Sequence, residues 1–240
     1  MAPRISYVVP IYNEEDVIAD TTARIVARLE SLPGSEVVLV ENGSTDSSPA
    51  LVDRLAEQYS NGSVSVVAAH SAKGYGNAVR HGMSIATGEV HLLTAADLPF
   101  GFSDLDAYLA LAAPRPELVI GSKAHPDTVI ANSRLRRVMS WGFRQLRRVT
   151  IGMRVGDSQG TIFLDADLSR RLQPHLTEGA YFFSTELIAL AQRCDARIVE
   201  VPVDYSAPRE GSKVKPLEDS IAMAKSLMAL RKRLRSMPTI

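Results

Sequence analysis

The sequence predicts an α/β protein with a mostly parallel sheet and helices on both faces. Three observations predict it. Short runs rich in Val, Ile and Leu recur along the first half of the chain, segments with helical spacing separate them, and a polar or glycine-bearing stretch follows each run. Unbroken apolar runs suit strands buried on both faces, and strands alternating with helices join as parallel βαβ units.

The elements follow in order. "ISYVVPI" (Ile5–Ile11) reads as a buried strand. Over residues 15–32 the positions Ile18, Thr22, Ile25, Leu29 and Leu32 step by three and four and make one helical face. "EVVLVE" (Glu36–Glu41) is the second strand, and "STDSSPALVDRLAEQY" supplies Asp46 or Ser47 as an N-cap and then a helix. "SVSVVAA" (63–69) is the third strand and residues 76–86 the third helix. "EVHLL" (89–93) and "ELVIGSK" (117–123) are the fourth and fifth strands. Residues 124–133 read as a mobile loop and 134–149 as a basic helix carrying Val138, Trp141, Leu146 and Val149. "SQGTIFL" reads as strand, 181–194 as helix, 196–205 as strand, "SAPREGSKVKP" as loop and 217–235 as the last helix. No repeat or linker interrupts the chain, so one domain over residues 1–240 is the simplest organisation. In open sheets of this kind ligands bind beyond the carboxyl ends of the strands. "YNEED", "NGSTD", "HSAKGYG", "TAADLPF" and "GSKAHP" should therefore gather at one edge.

Composition narrows the class. Apolar residues make up 45% and charged residues 22% of the 240, ordinary for a globular protein. Lys plus Arg and Asp plus Glu number 27 each, and the resulting zero net charge argues against a generic nucleic-acid binder. The single cysteine, Cys194, forms no internal disulfide, and the chain opens on no signal-like segment. Both favour a cytoplasmic setting. No apolar run is long enough to cross a bilayer, which leaves peripheral contact with the inner membrane face open.

"VVPIYNEED", "VENGSTDSS", "KGYGNAVRHGMSIATGE", "AADLPF" and "VIGSK" occur in that order. Together they resemble family 2 glycosyltransferases of the GT-A, nucleotide-diphospho-sugar fold, and in particular dolichol-phosphate mannose synthases and related polyprenyl-phosphate glycosyltransferases. The resemblance extends through "EVPVDY" and "REGSK", nearly the whole chain. It implies a Rossmann-like sheet, with residues 1–123 as the half that binds a GDP- or UDP-sugar and 124–240 as the acceptor half with its C-terminal helix. It implies that Pro10, Tyr12 and Glu14 line the nucleotide pocket, with Tyr12 on the base. An acid at the start of a helix also suits the dipole, so Glu14 has a local reason to be there. Val40, Asn42, Lys73 and Ala96 belong to the donor site by the same resemblance. Where the family usually shows two aspartates before the glycine, this chain has Glu41 and Asn42. Gly43, Ser44 and Asp46 also suit a turn and helix cap. Lys73 and two glycines precede a helix N-terminus, a place that attracts anions.

The resemblance also implies an Asp-x-Asp pair at the end of the fourth strand, holding Mg²⁺ or Mn²⁺ against the donor diphosphate. Here Ala95 takes the place of the first acid, Ala96 the middle position and Asp97 the second acid. Mg²⁺ is often held by one or two carboxylates plus substrate phosphates, so Asp97 suffices as a metal ligand only with substrate present. Metal-independent binding by cations, a lost activity, and Asp97 as the cap of the next turn are the other readings. A second acid of the family, in "FSTEL", is replaced by Ser184, while Glu186 remains.

The acceptor implied is a lipid phosphate, already ionised and in need of no base, so positioning and electrostatics should carry catalysis. Lys123, Arg136 and Arg137, with Ser140 close behind, are the expected acceptor site. Arg209 and Lys213 would close over the donor. Lys123 stands where the family commonly has Arg, and an ammonium fixes phosphate geometry less than a guanidinium fork. Asp157 in "VGDSQG" orients these cations, serves as base toward a hydroxyl acceptor, or makes a turn. In the last helix Met223, Leu227, Leu230 and Leu234 form a stripe beside Arg231, Lys232, Arg233 and Arg235. Packing on its own domain is the commoner explanation, and an anionic membrane interface the other. A hydroxyl-acceptor enzyme and a silent nucleotide-binding module are the rival functions.

Overall fold

The structure, a computed structural model, describes residues 2–128, 134–205 and 216–237. A seven-stranded sheet forms its centre. The strands are β1 (Ile5–Ile11), β2 (Glu36–Glu41), β3 (Ser65–His70), β4 (Val90–Leu93), β5 (Leu118–Gly121), β6 (Thr161–Asp165) and β7 (Ile198–Val201), in the order β3-β2-β1-β4-β6-β5-β7. All neighbours pair in parallel except β6, which runs antiparallel to β4 and to β5.

The alternation along β1 explains the two-sided core. Val8 points to one face, where α3 (Tyr75–Ile85), α6 (Ala166–Leu172), α7 (Phe183–Arg193) and α8 (Pro216–Ser236) pack. Ile5, Tyr7, Val9 and Ile11 point to the other, beneath α1 (Ile18–Leu29), α2 (Ser48–Gln58) and α4 (Ser103–Leu109). Every residue of β1 and β2 is buried, as their unbroken apolar runs require. Helices α4 and α6, and a single 3₁₀ turn at Gln173–His175, fall in stretches where periodicity gave no helix. Each is seven residues or shorter, too brief to establish a period of 3.6.

The direction of β6 has consequences for the site. Gly121, at the carboxyl end of β5, pairs with Thr161, at the start of β6. The intervening chain therefore leaves and re-enters the sheet at one edge. It includes α5 (Arg134–Ile151). The 124–133 loop expected from sequence is described only to Thr128, and "SAPREGSKVKP" lies outside the described residues except at its last proline.

Trp141, Leu146 and Val149 of α5 are exposed, at 59%, 43% and 82%, whereas Arg147 is 3% exposed. The basic residue faces inward because it has partners there. Its guanidinium donates to the Gly156 carbonyl at 3.1 Å and sits in the field of Asp157 and Glu200. Burial nonetheless pulls its pKa below the ordinary arginine value. The stripe on α8 takes the packing role, with Leu227 and Leu230 buried in the core and Met223 and Leu234 against it.

Candidate active site at the carboxyl edge of the sheet

The loops after β1 and β2 are stitched into one wall. Asn13 adopts a left-handed backbone (φ 55°), and its side-chain oxygen accepts the Thr45 N–H at 2.7 Å. Ser44 and Ser48 hydroxyls accept the N–H groups of Asn13 and Glu14. Asp46 accepts from Glu15 and Ser48; burial acts to raise its carboxyl, but these hydrogen bonds win and hold it below the usual value. Ser47 is the N-cap of α2 by backbone geometry, although its side chain makes no capping bond.

Asn42 is 3% exposed and its amide joins three segments. It donates to the Ile11 carbonyl at 2.7 Å and accepts the Gly74 N–H at 3.1 Å. Glu41, also buried, accepts the Ser44 N–H and meets His70 at 3.4 Å. Burial raises its carboxyl, and the Ser44 and His70 hydrogen bonds more than offset that, so it titrates below the ordinary range. Val40 is fully buried in the core, and Pro10 is buried within β1.

Lys73 is exposed at the rim. Its ammonium lies 2.9 Å from the Tyr12 hydroxyl and 4.7 Å from the centre of that ring. The two donor residues expected from separate motifs thus meet. The α3 N-terminus behind Lys73 is already occupied: the N–H groups of Gly76 and Asn77 donate to the Gly179 carbonyl. The glycines of "KGYG" serve this approach. A Cβ at Gly76 would lie 2.4 Å from the Glu178 carbonyl oxygen, and one at Gly74 2.3 Å from that of Gly179. The anion-cradle expectation for this helix end is therefore corrected: protein carbonyl takes the place a phosphate would need.

After β4, Ala95 and Asp97 are exposed and Ala96 is buried between them. The Thr21 hydroxyl donates to the Ala96 carbonyl at 2.7 Å, and Leu98 takes a left-handed backbone (φ 44°). Single leucines avoid that conformation, so the turn is held by its surroundings and presents Asp97 outward. Among the described residues Asp97 has no hydrogen bond or ion pair. No cluster of three His, Cys, Asp or Glu occurs among them either. What the turn offers a cation is the exposed carboxylate of Asp97.

Lys123 and Asp157 come together. The Lys123 ammonium lies 3.5 Å from the Asp157 carboxylate, 3.0 Å from the Gln159 carbonyl and 5.5 Å from the centre of the Phe100 ring. Both Asp157 oxygens are engaged, one by the Lys123 N–H at 3.0 Å and one by the Gln159 N–H at 2.8 Å. Behind them stands Glu200 of β7, a residue the motifs did not single out. It accepts from the Ser122 hydroxyl and from the N–H groups of Gly156 and Asp157. Its signal was the quoted "EVPVDY", where a carboxylate interrupts an apolar strand.

Between the two regions the rings of Tyr75 and Tyr181 stack, 5.4 Å apart. Ser184, at the position of the replaced acid, is buried beside Tyr75. Burial raises the Tyr75 phenol and the Ser184 hydrogen bond partly offsets it. Glu186 is fully buried and ion-paired with Arg233, so it is neither a solvated acid nor an open base. Ser140 is exposed on α5. The side chains of Arg136 and Arg137, and all of Arg209 and Lys213, lie outside the described residues.

This arrangement, an α/β sheet with polar loops on its carboxyl edge and a cation beside a buried carboxylate, has the architecture of the GT-A class of transferases. The sequence model of glycosyl transferase family 2 matches residues 6–171, and the chain belongs to that family. It is a glycosyltransferase. The chain is 27% identical over 241 residues to a dolichyl-phosphate beta-glucosyltransferase of Dictyostelium discoideum, covering 95% of this chain and 73% of that one. It is 29% identical over 248 residues to the Saccharomyces cerevisiae protein of the same name, covering 95% and 74%. Among solved structures, glucosyl-3-phosphoglycerate synthase from Mycobacterium tuberculosis, in complex with Mn²⁺, UDP-glucose and phosphoglyceric acid, superposes with a TM-score of 0.66 at 18% identity. That match covers 98% of this chain and 81% of the other, and it establishes the GT-A fold.

Proposed function

We propose that this chain is an inverting glycosyltransferase that moves a hexose from a nucleoside-diphosphate sugar to a polyprenyl phosphate. The observation that carries the reading is the state of Asp157. Both its oxygens are taken by backbone N–H groups and the Lys123 ammonium stands beside it. A hydroxyl acceptor would need a free base, whereas a phosphate oxygen is ionised near neutral pH and needs a cation. Residues 1–123 form the donor half, with Tyr12 and Lys73 on the nucleotide, and residues 124–240 the acceptor half.

In the step itself an acceptor phosphate oxygen attacks the anomeric carbon. The bond from that carbon to the donor diphosphate breaks in line, and the nucleoside diphosphate leaves with the electron pair. Lys123 stabilises the incoming phosphate, and Asp157 fixes the Lys123 backbone and orients its ammonium. Asp97, an open carboxylate, fits a Mg²⁺ or Mn²⁺ held mainly by the diphosphate, where the metal would neutralise charge on the leaving group. The dolichyl-phosphate relatives support the acceptor class, and the UDP-glucose complex makes UDP-glucose the first donor to try.

No helix among the described residues is long and apolar enough to cross a membrane. The exposed Trp141, Leu146 and Val149 on α5, with Arg148 among them, support contact with a membrane surface that carries the lipid acceptor. The test is transfer of radiolabel from UDP-glucose or GDP-mannose to a polyprenyl phosphate, read as partition into an organic phase. Label that moves only to water-soluble acceptors sinks the lipid assignment.

A further inference from the structure

Arg233, near the end of α8, pairs with Glu186 of α7 and donates to the Thr177 hydroxyl. Glu186 is 0% exposed. Its carboxylate also accepts the N–H of Thr177 at 3.1 Å and of Glu178 at 2.9 Å, and the Thr177 hydroxyl at 3.0 Å. A carboxylate so deeply buried needs donors, and here the donors are one loop and one helix end.

The loop that Glu186 holds reaches the donor side. The Gly179 carbonyl accepts the N–H groups of Gly76 and Asn77 at 3.0 and 3.4 Å, and the Leu176 carbonyl accepts from Arg80 at 3.1 Å. The backbones touch so closely that neither Gly74 nor Gly76 has room for a Cβ. From there Gly74 bonds Asn42, and Lys73 bonds Tyr12. An unbroken set of contacts joins the last helix to the rim of the nucleotide pocket.

We propose that Arg233 and Glu186 are positioning residues: through loop 176–180 they latch the 73–77 turn in the shape that sets Lys73 against Tyr12, where the nucleotide of the donor would lie. The same helix turns Arg231, Lys232 and Arg235 outward beside the exposed Met228, around a cleft of about 330 Å³. The latch thus sits on the element that carries this basic surface, and it acts through the Arg233–Glu186 pair rather than through the packing of the helix. The inference rests on the donor reading of that turn.

The test uses the full chain and three variants, Arg233→Ala, Arg233→Lys and Leu227→Ala. UDP binding is measured by calorimetry, and amide hydrogen exchange is followed over residues 73–79. Arg233→Ala should weaken UDP about tenfold, a clear step on the affinity scale, and speed exchange in the turn. Arg233→Lys should restore most of both. Leu227→Ala loosens the same helix without touching the ion pair; it should lower Tm and leave UDP affinity near wild type. Wild-type affinity and exchange in Arg233→Ala overturn the latch, as does an equal loss in Leu227→Ala. Should the wild-type chain bind no nucleoside diphosphate, the donor reading fails on its own account. Exchange in the turn then decides the latch separately.

Discussion

The ammonium of Lys123 lies 3.5 Å from the carboxylate of Asp157, across 34 positions of sequence, because β6 returns to the sheet edge that β5 leaves. This closure brings a cation from one motif against a carboxylate from another and seats the cation over the Phe100 ring of the Asp97 turn.

Loss of the cation should be felt in the chemical step. Lys123→Ala is expected to lower kcat/KM about 10²- to 10³-fold, the usual cost of removing one charge-stabilising donor. Lys123→Arg should retain most of the activity. Asp157→Asn should lower the rate while keeping the shape of the pH profile. Loss of the acidic limb in that variant would mark Asp157 as the general base and restore the hydroxyl-acceptor reading.

The Asp97 turn gives a metal-dependent prediction. Calorimetric titration of UDP and GDP should tighten about tenfold, roughly 1.4 kcal/mol, with Mg²⁺ or Mn²⁺ over EDTA. Asp97→Ala should abolish the gain. Equal affinity in EDTA removes the metal from donor binding and turns attention to Lys73 and Lys123.

Gly76→Ala tests whether the glycines of "KGYG" answer to packing. The added methyl would meet the Glu178 carbonyl at 2.4 Å, with backbone on both sides unable to yield cheaply. A stability loss of about 1–3 kcal/mol is expected, as for other overpacked sites. It should appear as a lower denaturant midpoint at unchanged slope.

His70 predicts a pH dependence. Its ring lies 2.9 Å from Asp53 and 3.4 Å from Glu41. The Asp53 hydrogen bond raises its pKa above the ordinary value, burial opposes this, and Glu41 adds to the rise. A raised histidine stabilises fully below its unfolded value of about 6.5 and loses that stability as pH climbs through the higher folded value. The side chain is 49% exposed, so the effect should stay under about 1 kcal/mol. Tm measured at pH 6 and at pH 8 should fall more in wild type than in His70→Gln; parallel falls dismiss the bridge.

The strands were legible because each is a run of β-branched and apolar residues that only a two-faced sheet can bury. The long helices were legible because their faces repeat. The motifs put Tyr12, Lys73, Asp97 and Lys123 on loops expected at one edge, whereas Asp157 reaches that edge only because β6 starts there. Glu200 and Arg147 escaped notice because a charged residue in a strand or basic helix reads as solvated until its partners are known. The glycines of "KGYG" looked like a phosphate cradle because the loop that fills that space lies about a hundred residues downstream.

Local sequence therefore determined the fold class, the order of most elements and the edge where the motif-bearing loops lie, since periodicity and turn chemistry are properties of neighbours in the chain. The tertiary structure alone decided which charges are buried and paired. It reversed β6, turned Arg147 inward, closed Asp157 against Lys123 and set Glu186 under Arg233. These outcomes depend on desolvation and on donors brought from distant segments, and no local pattern encodes either.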